Sequence, residues 1–140
     1  MQYVRHQTAD DVGKLLLRVS LAAILLFHGI FKITHGVEWI KQPLASVGLP
    51  GGLAYGAYVA EVAAPVFLIL GLQTRFAALV IVFDMLMAML LVLRPQLGVI
   101  KPQGGGWAVE LEALILLVAL SLVFLGGGRY AITRPKPTSR

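Results

Sequence analysis

Four long apolar runs alternate with short polar segments along the chain, at residues 13–33, 53–72, 76–93 and 107–125. Each holds roughly 18–21 residues, enough at about 1.5 Å rise per residue to cross a hydrocarbon core about 30 Å thick. None carries the polar stripe that a helix in a soluble bundle keeps toward water. The pattern predicts an all-α membrane protein, a bundle of four transmembrane helices built by residues 1–140 as one domain. The first run lies where a signal peptide would, but it is too long, lacks a small-residue cleavage site and is interrupted by Arg18, His28 and Lys32. It is therefore read as a retained anchor.

The segments between the runs set topology. Arg5, Lys14, Arg75, Arg129, Arg134, Lys136 and Arg140 flank one set of helix ends, whereas the loops 34–52 and 94–106 hold only Lys41, Arg94 and Lys101. This asymmetry predicts both termini, including the basic tail 129–140, on the cytoplasmic side. The two outer loops end in GLPGG (48–52) and KPQGGG (101–106), punctuation that suggests two hairpins, runs one–two and three–four. Residues 37–46, with Trp39 and Lys41, read as a short amphipathic turn at the interface. In the second run Gly52, Gly56, Ala60 and Ala64 recur four apart, a ladder that lets helix backbones approach closely in lipid. Pro65 is expected to bend or loosen that helix one turn past Glu61.

Composition agrees with this reading and removes several function classes. The chain is 58% hydrophobic with a mean hydropathy of +0.82, outside the range of ordinary soluble domains. Its net charge of +5 sits at helix ends and in the tail, the distribution of a membrane topology signal and not of a nucleic-acid footprint. There is no cysteine, which excludes disulfide exchange, cysteine-ligated iron–sulfur clusters and thiolate metal sites. Any redox role must use a bound cofactor or a quinone.

Within the apolar runs lie seven ionisable residues: Arg18, His28 and Lys32 in the first, Glu61 in the second, Asp84 in the third, Glu110 and Glu112 in the fourth. A charge at the bilayer centre costs roughly 2.5–3.5 kcal/mol on insertion scales, so such residues face one another or a wet cavity. On a helical wheel Arg18, Ala22, Leu25, His28, Gly29 and Lys32 form one stripe. Measured from the outer surface, Lys32 and Glu110 lie within about 5 Å, His28 and Glu112 about 8 Å, and Glu61 and Asp84 about 12–14 Å deep. Six of the seven thus fall in the outer half of the bundle and define a candidate polar cluster for a ligand or a proton.

Arg18 is expected instead to snorkel to the inner headgroups, and Lys32 has the same option at the outer surface. Glu110 and Glu112 stand about 200° apart on a helix, so only one faces the bundle. Pairing of bases with acids would also serve as structural glue. No metal site is predicted. His28 alone does not make a bis-histidine haem site, and His35 lies on the same side of its helix. The alternating Met85, Met87 and Met89 read as lipid and core packing.

Three segments resemble the DoxX family of small bacterial membrane proteins. RVSLAAILLFHGIFKI (18–33) is similar to its first helix, with Arg, then His-Gly, then Lys. AEVAAPVFLILGLQTR (60–75) is similar to its second, an acid followed by a Gly-x-x-Thr-Arg turn. LGGGRYAI (125–132) resembles its Gly-x-Gly-Arg-Tyr-Ser tail. Ala131 replaces the usual Ser, Thr133 stands where Asp is common, and two acids open the fourth run where the pattern has one near a Gly-Gly-Trp. The resemblance implies a four-helix protein of the bacterial inner membrane, in a family named for a subunit of quinone-dependent sulfur oxidation and often labelled oxidoreductase.

Three functions are weighed on this basis. The first is a membrane component of a quinone-linked redox system. The second is a non-catalytic accessory or scaffold subunit, and the third a small proton-linked transporter. The partners expected are the lipid bilayer and a second copy or another membrane protein, not nucleic acid. Catalysis is implied by the resemblance alone.

Overall fold

The computed structural model describes residues 2–133, with side chains from Gln7 onward; Arg134, Lys136 and Arg140 of the basic tail lie outside the described residues. The fold is all-helical, with a lone β-bridge between Ile100 and Trp107 among the described residues. We name its main elements α1 (Gln2–His35), α2 (Glu38–Ser46), α3 (Gly51–Leu70), α4 (Thr74–Val92) and α5 (Glu110–Leu125).

Among the described residues three helices are long and apolar enough to cross a membrane: Gln7–His35 within α1, α3 and α4. The fourth predicted run yields only 16 helical residues, about 24 Å of rise. Its first three positions are diverted by a tight hairpin. Lys101 N donates to Gly106 O at 2.8 Å, Ala108 N to Val99 O at 2.9 Å, and the Trp107 indole to Leu97 O at 2.7 Å. The helix begins only where that ladder ends.

α1 packs against α3 and α5, and α4 against both α3 and α5. Leu25, Leu68, Ile81 and Leu122 fill the core, with Ala22, Ala78 and Ala119 where backbones draw close. Outward-facing positions are apolar as well: Phe27 and Phe124 are 78% and 74% exposed. Such a surface suits lipid and is abnormal against water.

α3 is wound in three ways. It starts as a 3₁₀ turn (Gly51–Tyr55), passes through a short α segment, widens to a π turn (Val59–Ala63) and ends as α-helix (Ala64–Leu70). Proline explains the widening. Pro65 has no N–H to give the Glu61 carbonyl four residues back, and its ring crowds that carbonyl. The chain relieves this by spacing its bonds five apart, with Ala64 N donating to Val59 O. The loosening expected at Pro65 is thus a π turn centred on Glu61.

The same change of winding revises the small-residue ladder. The buried small positions are Ala54, Ala57, Ala60 and Ala64. Gly52 and Gly56 have nothing within 4 Å of where a Cβ would stand, so only Ala60 and Ala64 of the predicted ladder pack within the chain. The closest helix approach is made from the other side, by Gly29. A Cβ there would overlap the Glu61 carbonyl oxygen and stand 2.7 Å from Val62 Cγ2.

At the end of the bundle where α1 enters, Arg18 departs from its predicted role. It is 0% exposed and does not reach out to headgroups. Its guanidinium donates to Gly127 O at 2.6 Å and to Ile69 O and Tyr130 O at 3.4 Å. These carbonyls lie at the end of α3 and in the glycine-rich segment after α5, groups that no longer have helical partners. Ile132 N and Thr133 N complete the junction by donating to Leu70 O and Gly71 O. Gly71 adopts φ +68°, and a Cβ there would strike Ala131 and Arg18. Ala131, the departure from the family's Ser, is buried in this contact.

Two outcomes test these packing arguments by thermal unfolding in detergent. Gly29→Ala should destabilise by about 1–3 kcal/mol, the usual cost of overpacking, whereas Gly56→Ala should be close to neutral. Arg18→Met, which keeps the side-chain length, should cost about 1–3 kcal/mol by orphaning buried carbonyls. It should also expose residues 126–133 to protease before the rest of the chain.

Candidate functional site

The inward stripe of α1 and the π turn of α3 meet at the end of the bundle opposite Arg18. There Lys32 Nζ donates to Glu61 Oε1 in an ion pair whose side chains are 12% and 4% exposed. Gly29, one turn before Lys32, lets the two backbones come close enough for this. The Tyr58 hydroxyl donates to the Lys32 carbonyl at 3.0 Å, and Nζ lies 5.8 Å from the centroid of the Trp39 ring. Glu61 Oε2 is buried and has no hydrogen-bond partner. Asp84, from α4, is near enough to interact electrostatically with both Glu61 and Lys32.

This group sits in the wall of a cavity of about 800 Å³, which His28, Asp84 and Glu112 also line. His28 makes no hydrogen bond among the described residues. The rest of the lining is apolar and comes from every main helix. Both π turns border the cavity, Val59–Ala63 in α3 and Ala88–Val92 in α4, the latter closed by Leu93 N donating to Ala88 O at 2.8 Å. A widened turn displaces side chains from regular register, and such turns recur at functional sites. Gly56 and Ala57 face the same space, so the ladder position left unfilled at Gly56 leaves volume for the cavity.

α2 closes the end of the cavity away from Arg18. Trp39, Ile40 and Leu44 line the cavity, while Val37 and Leu44 pack on Ala54 and Ala57 in a second small core. Lys41 donates to Glu38 within α2 at 2.7 Å and reaches the start of α3 through a hydrogen bond to Tyr55 at 3.4 Å. Those bonds, the one to Glu38 foremost, hold the Lys41 ammonium above its ordinary pKa. The sequence predicts a membrane-interface position for α2 and does not foretell that it covers the cavity. The recurrence of Val37, Ile40 and Leu44 at helical spacing was the available signal.

Of the seven ionisable residues, the structure gathers His28, Lys32, Glu61, Asp84 and Glu112 around one cavity and leaves two outside it. Glu110 is exposed and pairs with Lys101 at 3.3 Å, and Glu112 is the helix-α5 acid in the cavity wall. Arg18 lies at the far end among carbonyls. Among the described residues no three His, Asp or Glu side chains converge as a metal set. The arrangement instead offers an ammonium and an imidazole as donors, three carboxyl groups as acceptors, and a large apolar volume beside them.

The ion pair is expected to be worth more when broken than it is when exchanged as a unit. Lys32→Met leaves Glu61 buried without a partner and should destabilise by about 3–5 kcal/mol. The double variant Lys32→Met/Glu61→Met should recover much of that loss. Thermal unfolding of the four proteins of this cycle measures the coupling, and additive losses would show that the two charges do not depend on each other.

Comparison with known proteins agrees with this architecture. The DoxX family profile matches residues 13–94. The chain is similar to a protein of Bacillus subtilis (strain 168) described as "Putative oxidoreductase CatD", with 31% identity over 125 residues, covering 89% of this chain and 87% of that protein. No solved structure matches it. The profile spans more than half the chain and carries the Arg18, His28, Lys32, Glu61 and Asp84 positions, so the chain belongs to the DoxX family.

Proposed function

We propose that the protein is the membrane component of a quinone-linked redox system, with the cavity beside the Lys32–Glu61 pair as the quinone site. In this reading all four long helical segments cross the bacterial inner membrane, both termini are cytoplasmic, and the cavity lies in the outer half of the bundle. The excess of Lys and Arg at the end shared by the start of α1, residues 73–75 and the tail supports that orientation.

The observation that carries the proposal is the combination of volume and polarity. A cavity of about 800 Å³ is of the size that takes a small organic ligand. Its lining is apolar but for one cluster of ionisable groups, a match for a flat apolar ring with a polar atom at its edge. The unpartnered Glu61 Oε2 can accept from the O–H of a reduced quinol, and the His28 imidazole can donate to a carbonyl of the oxidised quinone. A bound quinone supplies two-electron, two-proton chemistry at its carbonyl oxygens. The chain's own residues would do the rest. Lys32 and His28 donate hydrogen bonds to a carbonyl oxygen, Asp84 and Glu112 hold or release protons, and Trp39 and Leu44 keep bulk water out. With no redox side-chain pair, electrons come from a partner protein. Similarity to a relative described as "Putative oxidoreductase CatD" is in keeping with this.

A second reading is favoured by the ion pair itself. Lys32 and Glu61 tie α1 to α3, and charges already satisfied by each other suit an accessory subunit whose buried pair specifies assembly.

The two separate by one experiment. Protein purified gently from quinone-containing membranes should retain quinone, detected by extraction and mass spectrometry. His28→Ala and Glu61→Gln should still accumulate in the membrane while losing it. Wild type that retains none although it accumulates normally would sink the redox reading, and variants that fail to accumulate would favour the structural one.

A further inference from the structure

A second cavity, of about 490 Å³, opens at the other end of the bundle, where α1 enters, α3 turns into α4 and the segment after α5 returns. Three cations line it: Lys14, Arg75 and Arg129. Asp11, the one acid in its wall, already accepts from the Arg129 backbone N–H at 2.9 Å. Lys14 is paired with Asp10 at 2.5 Å and Arg75 donates to Phe124 O at 3.3 Å, so the Arg129 guanidinium and the remaining donors of Arg75 are the groups left to meet an anion.

The N-terminus of α4 forms the floor. Its first turn has no side-chain cap, so its amides and the positive end of its dipole are available. Thr74, in that first turn, is 5% exposed, lines the cavity, and has a hydroxyl oxygen with no hydrogen-bond partner. A buried hydroxyl without a partner costs free energy unless something completes it. The opposite wall is kept open by glycines. A Cβ on Gly127 would stand 2.7 Å from Thr74 Oγ1, and one on Gly126 3.3 Å from Arg75 Nε.

We infer that this cavity binds a phosphoryl group, that of an acidic phospholipid headgroup or of free phosphate. A phosphoryl group brings acceptor oxygens for the Thr74 hydroxyl and the first-turn amides of α4, and a geometry that guanidinium forks match. Basic pockets between helices at the membrane surface are the usual place for acidic headgroups. The inference is independent of the quinone reading, since it uses none of the residues around the first cavity.

The test uses the full chain in neutral detergent, titrated with phosphatidylglycerol, phosphatidylcholine or inorganic phosphate, with thermal unfolding as readout. Phosphatidylglycerol should raise the unfolding temperature at concentrations where phosphatidylcholine does not. Arg75→Gln and Arg129→Gln should each weaken that response about five-fold, the contribution of one cation near an anionic surface. Thr74→Val should weaken it with every charge intact, which a merely electrostatic attraction would not do. A shift reproduced by inorganic phosphate identifies free phosphate as the source, and a shift confined to the lipid identifies the headgroup. Arg129, whose side chain is exposed, keeps the test available if Arg75→Gln does not fold. Equal responses to the two lipids, or variants that respond as wild type does, overturn the inference.

Discussion

A lysine ammonium and a glutamate carboxylate that face each other between apolar helices must be held together, because neither has water to turn to. An exposed ion pair contributes at most about 1 kcal/mol, whereas stripping one partner from a buried pair costs about 3–5 kcal/mol. The Lys32–Glu61 contact therefore constrains everything built around it. It requires α1 and α3 to approach closely, and Gly29 permits this by having no Cβ to press on the Glu61 carbonyl. It also requires Glu61 to point at α1, and the π turn that Pro65 imposes sets that direction. Close approach and local unwinding are two consequences of placing a charge pair beside a proline.

The cavity follows from the same irregularities. A regular helix packed on regular neighbours fills its grooves, and protein interiors leave little empty space. Here α3 changes from 3₁₀ to π winding and α4 ends in a second π turn. Neither helix can interdigitate evenly with the other along that stretch. Small residues at Gly56 and Ala57 leave the resulting gap unfilled, and α2 roofs it. Polar groups and empty volume thus share one location for one reason: the backbone distortion that accommodates Glu61 also opens the packing.

Much of this was legible in the chain because its cause is local. Length and hydropathy of the apolar runs marked α3 and α4 to within two residues, since transfer from water depends on composition more than on context. α1 instead begins at Gln2, well before the first run, because polar residues extend it. Proline chemistry located the distortion of α3. The cost of an isolated charge picked out Lys32 and Glu61, which pair, and Asp84 and Glu112, which line the same cavity; His28 also borders it but remains an exposed residue. Where the reading failed, the deciding contact was distant in sequence. Arg18 was read as snorkelling because nothing near it shows that Gly127 and Tyr130 return more than a hundred residues later. The ladder in α3 was counted on a regular 3.6-residue helix, and the winding change moved Gly52 and Gly56 off the packed face. The start of α5 was set too early because a hairpin between Ile100 and Trp107 captures residues that hydropathy assigns to the helix.

The two ends of the bundle handle buried charge in opposite ways. At one end Lys32 meets a carboxylate and leaves an unpartnered oxygen, a second acid and an imidazole beside open volume. At the other, Arg18 meets only neutral carbonyls, and its charge is spread over the loose ends of α3 and of the segment after α5. A guanidinium has five donors in a fixed fork, which lets it collect several carbonyls at once and makes it suited to closing a junction. An ammonium is a compact point charge, better suited to a single carboxylate that a ligand or a proton can compete for. The choice of Arg at position 18 and Lys at position 32 therefore matches one end where a fork of donors gathers several loose carbonyls and an opposite end where a single ammonium meets a single carboxylate.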